Sequence, residues 1–479
     1  MTPNVSSPTN WLGERWKPTE LHAPRESSEV LHLLDRAVAE GRKVGILGGG
    51  FSCAPAYRTN ELQLVTTRLD RIGPFDPATR TIAVGAGTTL RALNACLRSR
   101  GLAYGLVSVS TLDEATIGGL VANGCHGSDP RYGTIADQVV ALEVFVREGR
   151  ATKRVRFTSE SDPERFPYLL GNLGLLGFVE TITLRLEPLH AVEVRVRKRP
   201  VGAIFDESDP SELRALATAE GQALLTHLPF ADGLLVRTLR KSEAEATPYG
   251  FGDRLPWRLS PRINRFCTRT LRAFPKLTPT LNQALHGAIA EETSVRHLTE
   301  AVHANDRQSA YRCVMSAFAI RAEGDFANIA RAWRSMQEVL DGYAAKGAYP
   351  LNCCINARFV GGSVLPLSPV HGTKDDRFFV VDFLSYVGTP GYDHAIRAIV
   401  DRWSTEGLAP KPFFAKLGPS ILGPKRLRET YGQALVEFLA LREAMDPDGT
   451  FLGDHHARLF GLEHASGRRP SPTFHPPLP

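Results

Sequence analysis

Cysteine is scarce in this sequence, and its few copies are scattered along the chain. They are odd in number and form no C-x-x-C pair. The sequence therefore predicts neither a disulfide framework nor a structural zinc site. The simplest compartment for such a chain is a reducing one, so we expect the protein in the cytoplasm. The cysteines are Cys53, Cys96, Cys125, Cys267, Cys313, Cys353 and Cys354.

Long hydrophobic runs and a strong charge of one sign are also absent. No stretch reaches the ~18 apolar residues of a membrane-spanning helix, and residues 1–10 lack the basic and apolar regions of a secretory signal. The 57 Lys and Arg residues exceed the 51 Asp and Glu residues by six. Spread over 479 residues, this charge predicts no nucleic-acid partner, which needs a concentrated basic face. It does suit an anionic cofactor.

The composition is that of a globular protein. With 43% hydrophobic and 23% charged residues, the chain is neither disordered nor a coiled coil, and its length allows about three domains. The apolar periodicity predicts an α+β fold. We expect a first domain at 10–190, a second domain of helices over an antiparallel sheet at 191–425, a helical C-terminal segment at 426–462 and a disordered tail at 463–479.

Two periodicities locate the predicted elements. Helical spacing of apolar residues predicts helices at 27–40 and 89–99, the second followed by Gly101 as a C-cap. Alternation predicts strands at 43–47, 63–66, 81–84, 139–146 and 178–186. In the second domain, strands are predicted at 192–196 and 377–384, and helices at 211–219, 326–344 and 392–404.

Glycine clusters in two loops that are flanked by predicted strands. The first is the segment at 48–52, which begins with a glycine triplet, and the second spans 115–128. Glycines let backbone N–H groups approach a ligand closely, and successive N–H groups form a nest for an anion such as a pyrophosphate. Neither loop is a G-x-G-x-x-G that opens a helix, and no G-x-x-x-x-G-K-[ST] occurs, so neither a nicotinamide-type site nor a P-loop is indicated.

Four runs in this order carry a family resemblance: KVGILGGGFS, IAVGAGTTLRALNACLRSRGLAYG, TIGGLVANGCHGSDPRYGTIADQVVALEVF and LGNLGLLGFVETITLRLEP. Over 10–188 the chain resembles the vanillyl-alcohol-oxidase-type flavoproteins, which have a PCMH-type FAD-binding domain. KPFFAK and FLALREAMDPDGTFL resemble the aldonolactone and alditol oxidoreductases of that family. The resemblance implies a two-subdomain FAD-binding domain, a cap domain with an antiparallel sheet covered by helices, and a C-terminal segment that returns to the FAD-binding domain.

The resemblance also implies where the cofactor lies. FAD is expected between the two subdomains, with its pyrophosphate on 48–52, its adenine end near 177–179 and the remainder along 110–128. The cofactor-binding residues implied in this way are Leu47, Gly48, Gly49, Gly50, Phe51, Ser52, Ser110, Thr111, Thr116, Gly118, Gly119, Asn123, Gly124, Cys125, His126, Gly127, Ser128, Gly177 and Val179.

Two positions depart from the family pattern for covalent flavin attachment. Many relatives carry a flavin-bonded histidine where Phe51 stands, and phenylalanine has no nucleophilic nitrogen. The other attachment uses a cysteine just before a T-[IV]-G-G run, where this chain has Glu114 and Ala115. The sequence therefore predicts noncovalently bound FAD. Cys125, beyond these glycines, is interpreted either as a small residue packed beside the cofactor or as a gate for oxygen.

The predicted catalytic wall keeps two cations of the sugar-oxidising branch and lacks its other two polar groups. Asn356-Ala-Arg358 stands where that branch has Glu-x-Arg, and Phe413-Phe-Ala-Lys416 stands where it has His-Trp-x-Lys. The two cations are expected to stabilise negative charge on the reduced flavin or a substrate oxygen, or Lys416 acts as base, while Asn356 orients the substrate. An Ala-Lys pair also occurs in the decaprenylphosphoryl-ribose oxidase group, which lacks the covalent histidine. The predicted catalytic residues are Lys416, Arg358 and Asn356.

Aromatic residues near this wall predict a less polar substrate pocket. Buried rings contribute large contact area, so a bulky apolar substrate is favoured over a free polyol. His126 is expected to bond the backbone or the flavin. No metal site is predicted, because His455 and His456 lack further ligands at defined spacing. The predicted substrate-pocket residues are Phe413, Phe414, Tyr132 and Tyr386.

One segment, RLPWRLSPRINRFCTRTLRAFPK at 254–276, concentrates positive charge. Pro256 and Pro261 interrupt its start, so we expect any helix to begin after Pro261. A basic amphipathic helix at 262–276 is typical of a peripheral membrane contact. Attraction of an anionic substrate and a cap helix with an arginine-rich outer face are the alternatives.

Together these features predict an FAD-dependent oxidoreductase that transfers a hydride from a CH–OH group of a small molecule to flavin, with O2 or another acceptor reoxidising the flavin. Two alternatives stay open. One is flavin-dependent oxidative cyclisation or desaturation in a biosynthetic pathway, and the other is a non-catalytic FAD-binding protein.

Overall fold

The computed structural model describes residues 8–109, 111–148, 151–303 and 312–462. The predicted tail at 463–479 and the predicted cofactor residue Ser110 lie outside the described residues.

The described strands form four sheets. A parallel sheet has the order β1-β3-β2, and the others are antiparallel: β4-β5-β9-β7-β8, β10-β6, and an eight-stranded sheet β14-β11-β13-β12-β16-β17-β15-β18. In chain order the strands are β1 (Glu20–His22), β2 (Val44–Leu47), β3 (Leu62–Val65), β4 (Ile72–Asp76), β5 (Thr81–Gly85), β6 (Tyr104–Gly105), β7 (Val139–Glu148), β8 (Ala151–Thr158), β9 (Phe178–Arg185), β10 (Glu187–Pro188), β11 (Ala191–Pro200), β12 (Gln222–His227), β13 (Gly233–Ser242), β14 (Glu292–His297), β15 (Cys313–Arg321), β16 (Cys354–Gly361), β17 (Arg377–Tyr386) and β18 (Lys411–Pro412).

Helices cover these sheets, with short 3-10 turns at Thr66–Arg68, Ile135–Gln138 and Pro275–Leu277. In chain order the helices are α1 (Ser27–Ala39), α2 (Leu90–Ser99), α3 (Ile117–Ala122), α4 (Phe166–Leu170), α5 (Val201–Ile204), α6 (Ser211–Thr218), α7 (Phe251–Ala273), α8 (Thr278–Ala288), α9 (Leu298–Val302), α10 (Ala327–Ala344), α11 (Tyr392–Thr405), α12 (Gly418–Leu422), α13 (Pro424–Met445) and α14 (Asp454–Phe460).

The parallel sheet is built on helix α1. Its buried residues Val30, Leu33, Leu34 and Ala37 recur at helical spacing, and they form one core with apolar residues of β2 and β3. This packing fixes β2, whose carboxyl end leads directly into the glycine triplet. A second core joins the five-stranded sheet to α2 and α3.

The eight-stranded sheet forms the cap, and its central strand β17 is buried on both faces. Phe379, Val381 and Phe383 face the helix side, where they share a core with Trp333 of α10 and Trp403 of α11. Because side chains alternate along a strand, the even-numbered residues face the opposite way, toward the first half of the chain. A strand covered on both faces explains why this segment is a nearly continuous apolar run.

The C-terminal segment packs against the first half of the chain. Leu427, Leu435 and Phe438 of α13 belong to the same core as the five-stranded sheet, and the N–H of Val44 donates to the Thr450 carbonyl oxygen at 2.7 Å. The helix is interrupted at Gly432, whose φ is +50°. The predicted α+β fold, with an antiparallel cap sheet covered by helices, is confirmed.

Helix α7 differs from its prediction. It begins at Phe251 and passes through both prolines to Ala273, so the expectation of a start after Pro261 is wrong. Each proline removes one N–H donor, and the other backbone hydrogen bonds of a 23-residue helix remain available. Within the described ranges, no helix has the length and apolarity needed to cross a membrane.

Candidate active site

The glycine triplet after β2 forms one side of a cleft in the first half of the chain. A Cβ atom on Gly48 would lie 2.3 Å from Oγ1 of Thr116, and one on Gly50 would lie 2.5 Å from the carbonyl oxygen of Thr9. Gly50 also has a φ of +74°, which favours glycine. Only glycine fits at these two positions, so bare backbone faces the cleft, as an anionic ligand requires.

The second glycine loop faces the first across this cleft. Oγ1 of Thr116 accepts from the N–H of Gly119 at 3.3 Å, and a Cβ on Gly118 would lie 2.8 Å from the Ala86 carbonyl oxygen. Two loops about 70 residues apart in sequence thus converge. The predicted cofactor residues that line the cleft are Leu47, Gly48, Gly49, Gly50, Phe51, Ser52, Thr116, Gly118, Gly119, Asn123, Cys125, Gly177 and Val179.

The cleft has a further wall that the cofactor prediction omitted. Asn172, Leu173 and Gly174 line it, and Leu173 holds a φ of +53°, which is rare for a residue with a side chain. The signal was present in the sequence, because these residues belong to the run GNLGLLG. Among the described cofactor candidates, Gly124 is the one that lines neither this cleft nor the adjoining cavity described below. A Cβ atom built on Gly124 would point toward the side chain of Leu365.

A second cavity, of about 400 Å³, adjoins the cleft and is roofed by the cap sheet. Its size suits a small-molecule ligand. Leu112, Asn123, Cys125, Ala415 and Lys416 line both spaces. The other predicted cofactor residues, Thr111, His126, Gly127 and Ser128, lie on the wall of this second cavity.

Strand register explains which cap residues reach the cavity. Asn356 on β16 is directly opposite Asp382 on β17 and Thr226 on β12, so all three share one face, together with Arg358 two residues along. The hydroxyl of Thr226 donates to Oδ1 of Asn356 at 2.8 Å. This bond leaves the Asn356 amide N–H groups to donate to a ligand.

Asp382 forms a buried ion pair with Arg358. Burial lowers the pKa of the Arg358 guanidinium to about 10, and the neighbouring carboxylate acts in the opposite direction, so the group is charged at neutral pH. The sequence prediction treated the carboxylate of this wall as lost with Asn356. The structure supplies one from the next strand, which makes the wall more polar than predicted.

Lys416 occupies the boundary between the cleft and the cavity. Its side-chain contact among the described residues is the sulfur of Met315, with 2.7 Å between Nζ and Sδ. Sulfur is a weak acceptor, so most of the hydrogen-bonding capacity of the ammonium remains for a ligand. The loop that carries it is fixed at Ala415, whose carbonyl oxygen accepts from the Ser52 hydroxyl at 2.8 Å.

His126 is a neutral side chain at the cavity wall. Burial, reinforced by the charges of Arg358 and Lys416, lowers its pKa to about 3. Its Nδ1 lies 2.8 Å from the Gly127 carbonyl oxygen, and since a carbonyl only accepts, Nδ1 carries the proton. The predicted backbone bond is therefore present, and the ring packs 4.8 Å from that of Phe413.

Three predicted substrate-pocket residues lie elsewhere. Phe413 lines the cavity, but its neighbour Phe414 points the opposite way and packs on Tyr431. Tyr386 is buried behind the wall in a small core with Cys267, and Tyr132 lies beside its neighbour Arg131. The structure therefore does not bring Phe414, Tyr386 and Tyr132 to the lining of this cavity. The strand ends at Pro412 and Phe414 begins a turn, so nearness in sequence to Phe413 did not bring Phe414 to the cavity.

The cavity contains polar residues that sequence reasoning missed, chiefly Gln222, Arg237 and Asp382. The sequence contains an indication for Asp382, because this residue is the one charge within the apolar run FFVVDFLSY. A charge buried in such a run needs a partner. Trp11 also lines the cavity, and its indole N–H donates to the Cys313 carbonyl oxygen at 3.0 Å.

Comparison with known proteins agrees with this geometry. A family model described as FAD binding domain matches residues 18–153, and one described as D-arabinono-1,4-lactone oxidase matches residues 227–459. Both matched parts of the chain are thus similar to FAD-dependent oxidoreductases. The predicted cofactor and enzyme class are thus confirmed.

Curated relatives of this flavoprotein include an L-gulono-1,4-lactone dehydrogenase of Mycobacterium tuberculosis, 26% identical over 95% of this chain and 99% of the relative. A D-arabinono-1,4-lactone oxidase of Yarrowia lipolytica is 23% identical over 57% of this chain and 51% of the relative. Among solved structures, a cholesterol oxidase of Brevibacterium sterolicum aligns with a TM-score of 0.77 at 18% identity, covering 96% of this chain and 99% of that one. That likeness shows the shared fold of the flavoprotein.

Proposed function

We propose that this flavoprotein oxidises a CH–OH group of a small sugar-derived lactone. The observation that carries the proposal is the position of Lys416 on the wall shared by the FAD cleft and the substrate-sized cavity. Bound FAD supplies the hydride acceptor. The curated relatives named for lactones support this substrate class, and their names give no support to cyclisation, desaturation or a non-catalytic role.

The residues around the cavity have complementary tasks. Lys416 is assigned to the hydroxyl of the reacting carbon. As the ammonium it would stabilise the negative charge on that oxygen, and as the neutral amine it would accept the hydroxyl proton while the hydride goes to the flavin. The amide of Asn356 donates to a neighbouring substrate oxygen, and the carboxylate of Asp382 accepts from a substrate hydroxyl. A lactone of a sugar acid offers both kinds of partner on adjacent carbons. Trp11, Leu384 and Phe413 line the cavity beside these polar groups and exclude water from it.

Anaerobic bleaching of the flavin tests the proposal. We expect L-gulono-1,4-lactone or D-arabinono-1,4-lactone to remove the visible absorbance of the purified protein, and cholesterol to leave it unchanged. Bleaching by cholesterol alone would replace the lactone with a bulky apolar alcohol. Persistent colour with every alcohol tried would favour a non-catalytic FAD-binding protein. Admitting air after bleaching distinguishes an oxidase, which regains its colour, from a dehydrogenase, which needs another acceptor.

The attachment of FAD is proposed to be noncovalent. Phe51 stands on the cleft wall between Gly50 and Ser52 and offers no bond-forming atom. Cys125 also lines that cleft, but burial raises the pKa of its thiol to about 11. The thiol is thus protonated at neutral pH, and the thiolate is the reactive form.

Acid precipitation measures this attachment directly. We expect trichloroacetic acid to leave all the yellow colour in the supernatant and a white pellet, because denaturation destroys the cleft that holds FAD. A yellow pellet would identify a covalent bond and overturn the proposal. Mass spectrometry of a Cys125→Ser variant would then show whether that thiol forms it.

A reducing compartment such as the cytoplasm is likewise proposed. All seven cysteines are free thiols, including the adjacent pair Cys353 and Cys354 beside the substrate cavity. Disulfides are rare in reducing compartments.

A further inference from the structure

The segment from α7 to α8 has an unusual charge pattern. No acidic residue occurs between Asp253 and Glu291, whereas seven Arg and Lys residues fall between 254 and 276. Arg262, Arg265 and Arg269 are exposed on α7 and make no salt bridge with any described residue. Their charge therefore faces solvent without a counter-charge among the side chains that the structure describes.

The same segment exposes large apolar side chains. Phe266 is 60% exposed and Phe274 is 62% exposed, and Ile263, Leu277 and Ile289 are exposed as well. These five are most of the exposed large hydrophobic residues among the described parts of the chain; the others are Val364 and Val436. Single exposed apolar residues are ordinary, but a concentration of them in one short segment marks an interaction surface.

The inner face of α7 holds the segment in place. Asn264, Cys267 and Leu271 are buried at helical spacing, and the last two form a small core with Tyr386 and with Leu281 of α8. The turn at 274–277 joins α7 to α8, so its exposed Phe274 and Leu277 continue the outer surface. One face of α7 is therefore well packed against the protein, and the exposed aromatic rings lie on the opposite face.

We propose that this surface, formed by Ile263, Phe266, Phe274 and Leu277 with Arg262, Arg265 and Arg269, docks the protein on an anionic lipid bilayer. Helices that lie in a membrane interface combine aromatic and aliphatic residues with arginines, which interact with acidic headgroups. The absence of acidic residues between Asp253 and Glu291 fits a negatively charged occupant.

Docking in this orientation brings the substrate cavity close to the lipid. Cys353 lines the cavity and belongs to the same small core as Cys267 of α7, so the thickness of one helix, about 10 Å, separates the surface from the cavity wall. A membrane-borne electron acceptor would meet the protein on its cap side.

Vesicle flotation with the full-length, FAD-loaded protein tests the proposal. We expect binding to phosphatidylcholine vesicles that contain phosphatidylglycerol and none to pure phosphatidylcholine vesicles. The Phe266→Asp and Phe274→Asp substitutions are each expected to weaken binding about tenfold through lost apolar contact. Arg262→Gln, Arg265→Gln and Arg269→Gln are each expected to weaken it about fivefold, with less effect at high salt.

Val436→Asp is the matched control, because Val436 is 59% exposed on α13 and lies outside the α7–α8 segment. It is expected to bind vesicles like the parent protein, and all variants are expected to keep the parent visible spectrum, which reports folding. Equal binding to neutral vesicles would overturn the proposal, as would normal binding by Phe266→Asp. Concentration-dependent dimerisation abolished by Phe266→Asp, without vesicle binding, would assign the surface to a second copy instead.

Discussion

Replacement of Lys416 by alanine is expected to slow anaerobic flavin reduction by about 10²- to 10⁴-fold, while FAD stays bound. The side chain lies where the cleft and the cavity meet, and its ammonium contacts a sulfur rather than a carboxylate. No other lysine lines either space among the described residues. Stopped-flow absorbance at saturating lactone isolates this step from substrate binding and from reoxidation.

The Lys416→Arg variant separates two roles for the same residue. If the ammonium stabilises charge, arginine should keep the rate within about tenfold of the parent, because it is also cationic. If Lys416 accepts the proton, arginine should be as slow as alanine, because its guanidinium stays protonated. The exposed Lys425 on α13 supplies the matched control, Lys425→Ala, which should reduce at the parent rate. An unchanged rate in Lys416→Ala would remove this residue from the mechanism.

Substitution of Asp382 by asparagine is expected to destabilise the protein by about 3 kcal/mol and to lower kcat/KM. Its carboxylate neutralises the buried Arg358, and breaking a buried ion pair from one side costs about 3–5 kcal/mol because a charge is left uncompensated. Asparagine retains the size of aspartate and one acceptor oxygen, so we expect the loss of stability to lie at the lower end of that range. The urea midpoint, followed by tryptophan fluorescence, gives the stability change.

The double variant Asp382→Asn/Arg358→Met tests the cause. Removing both charges should restore most of the stability, since apolar replacements of buried pairs are often neutral, but it should not restore activity if the pair contacts substrate. Glu338→Gln is a surface control: its partner Arg402 is half exposed, and such pairs contribute about 0–1 kcal/mol. Recovered activity in the double variant would show that Asp382 contributes only to folding.

Local patterns were enough to find the FAD cleft. The glycine triplet and the Thr116 loop stand out as glycine-rich motifs, and the family resemblance carried by the surrounding runs implied their role and that of Gly177 and Val179. The same holds for α1, whose buried face follows directly from helical spacing. These features depend on interactions within a few residues, which a sequence displays.

The substrate cavity depends on pairings that the sequence does not display. Asn356 and Asp382 are opposite each other only because β16 and β17 pair in one register, and a shift of one residue would turn either side chain to the other face. Trp11 and Arg237 come to the cavity from remote parts of the chain. The single aspartate in the apolar run of β17 indicates a buried carboxylate that needs a partner. The run does not indicate that the partner is Arg358.

The loop at 411–417 joins the two halves of the molecule through backbone hydrogen bonds on both sides. The N–H groups of Phe413 and Leu417 donate to the Ala317 and Met315 carbonyl oxygens of the cap sheet, and the Ala415 carbonyl oxygen accepts from Cys53 beyond the glycine triplet. Attempts to graft a new cap onto this scaffold must therefore carry the 411–417 loop with the cap and preserve its joint at Ser52 and Cys53. A chimera whose boundary is chosen from sequence order alone would separate Lys416 from one of its two supports. These supports are the cap sheet and the joint at Ser52 and Cys53.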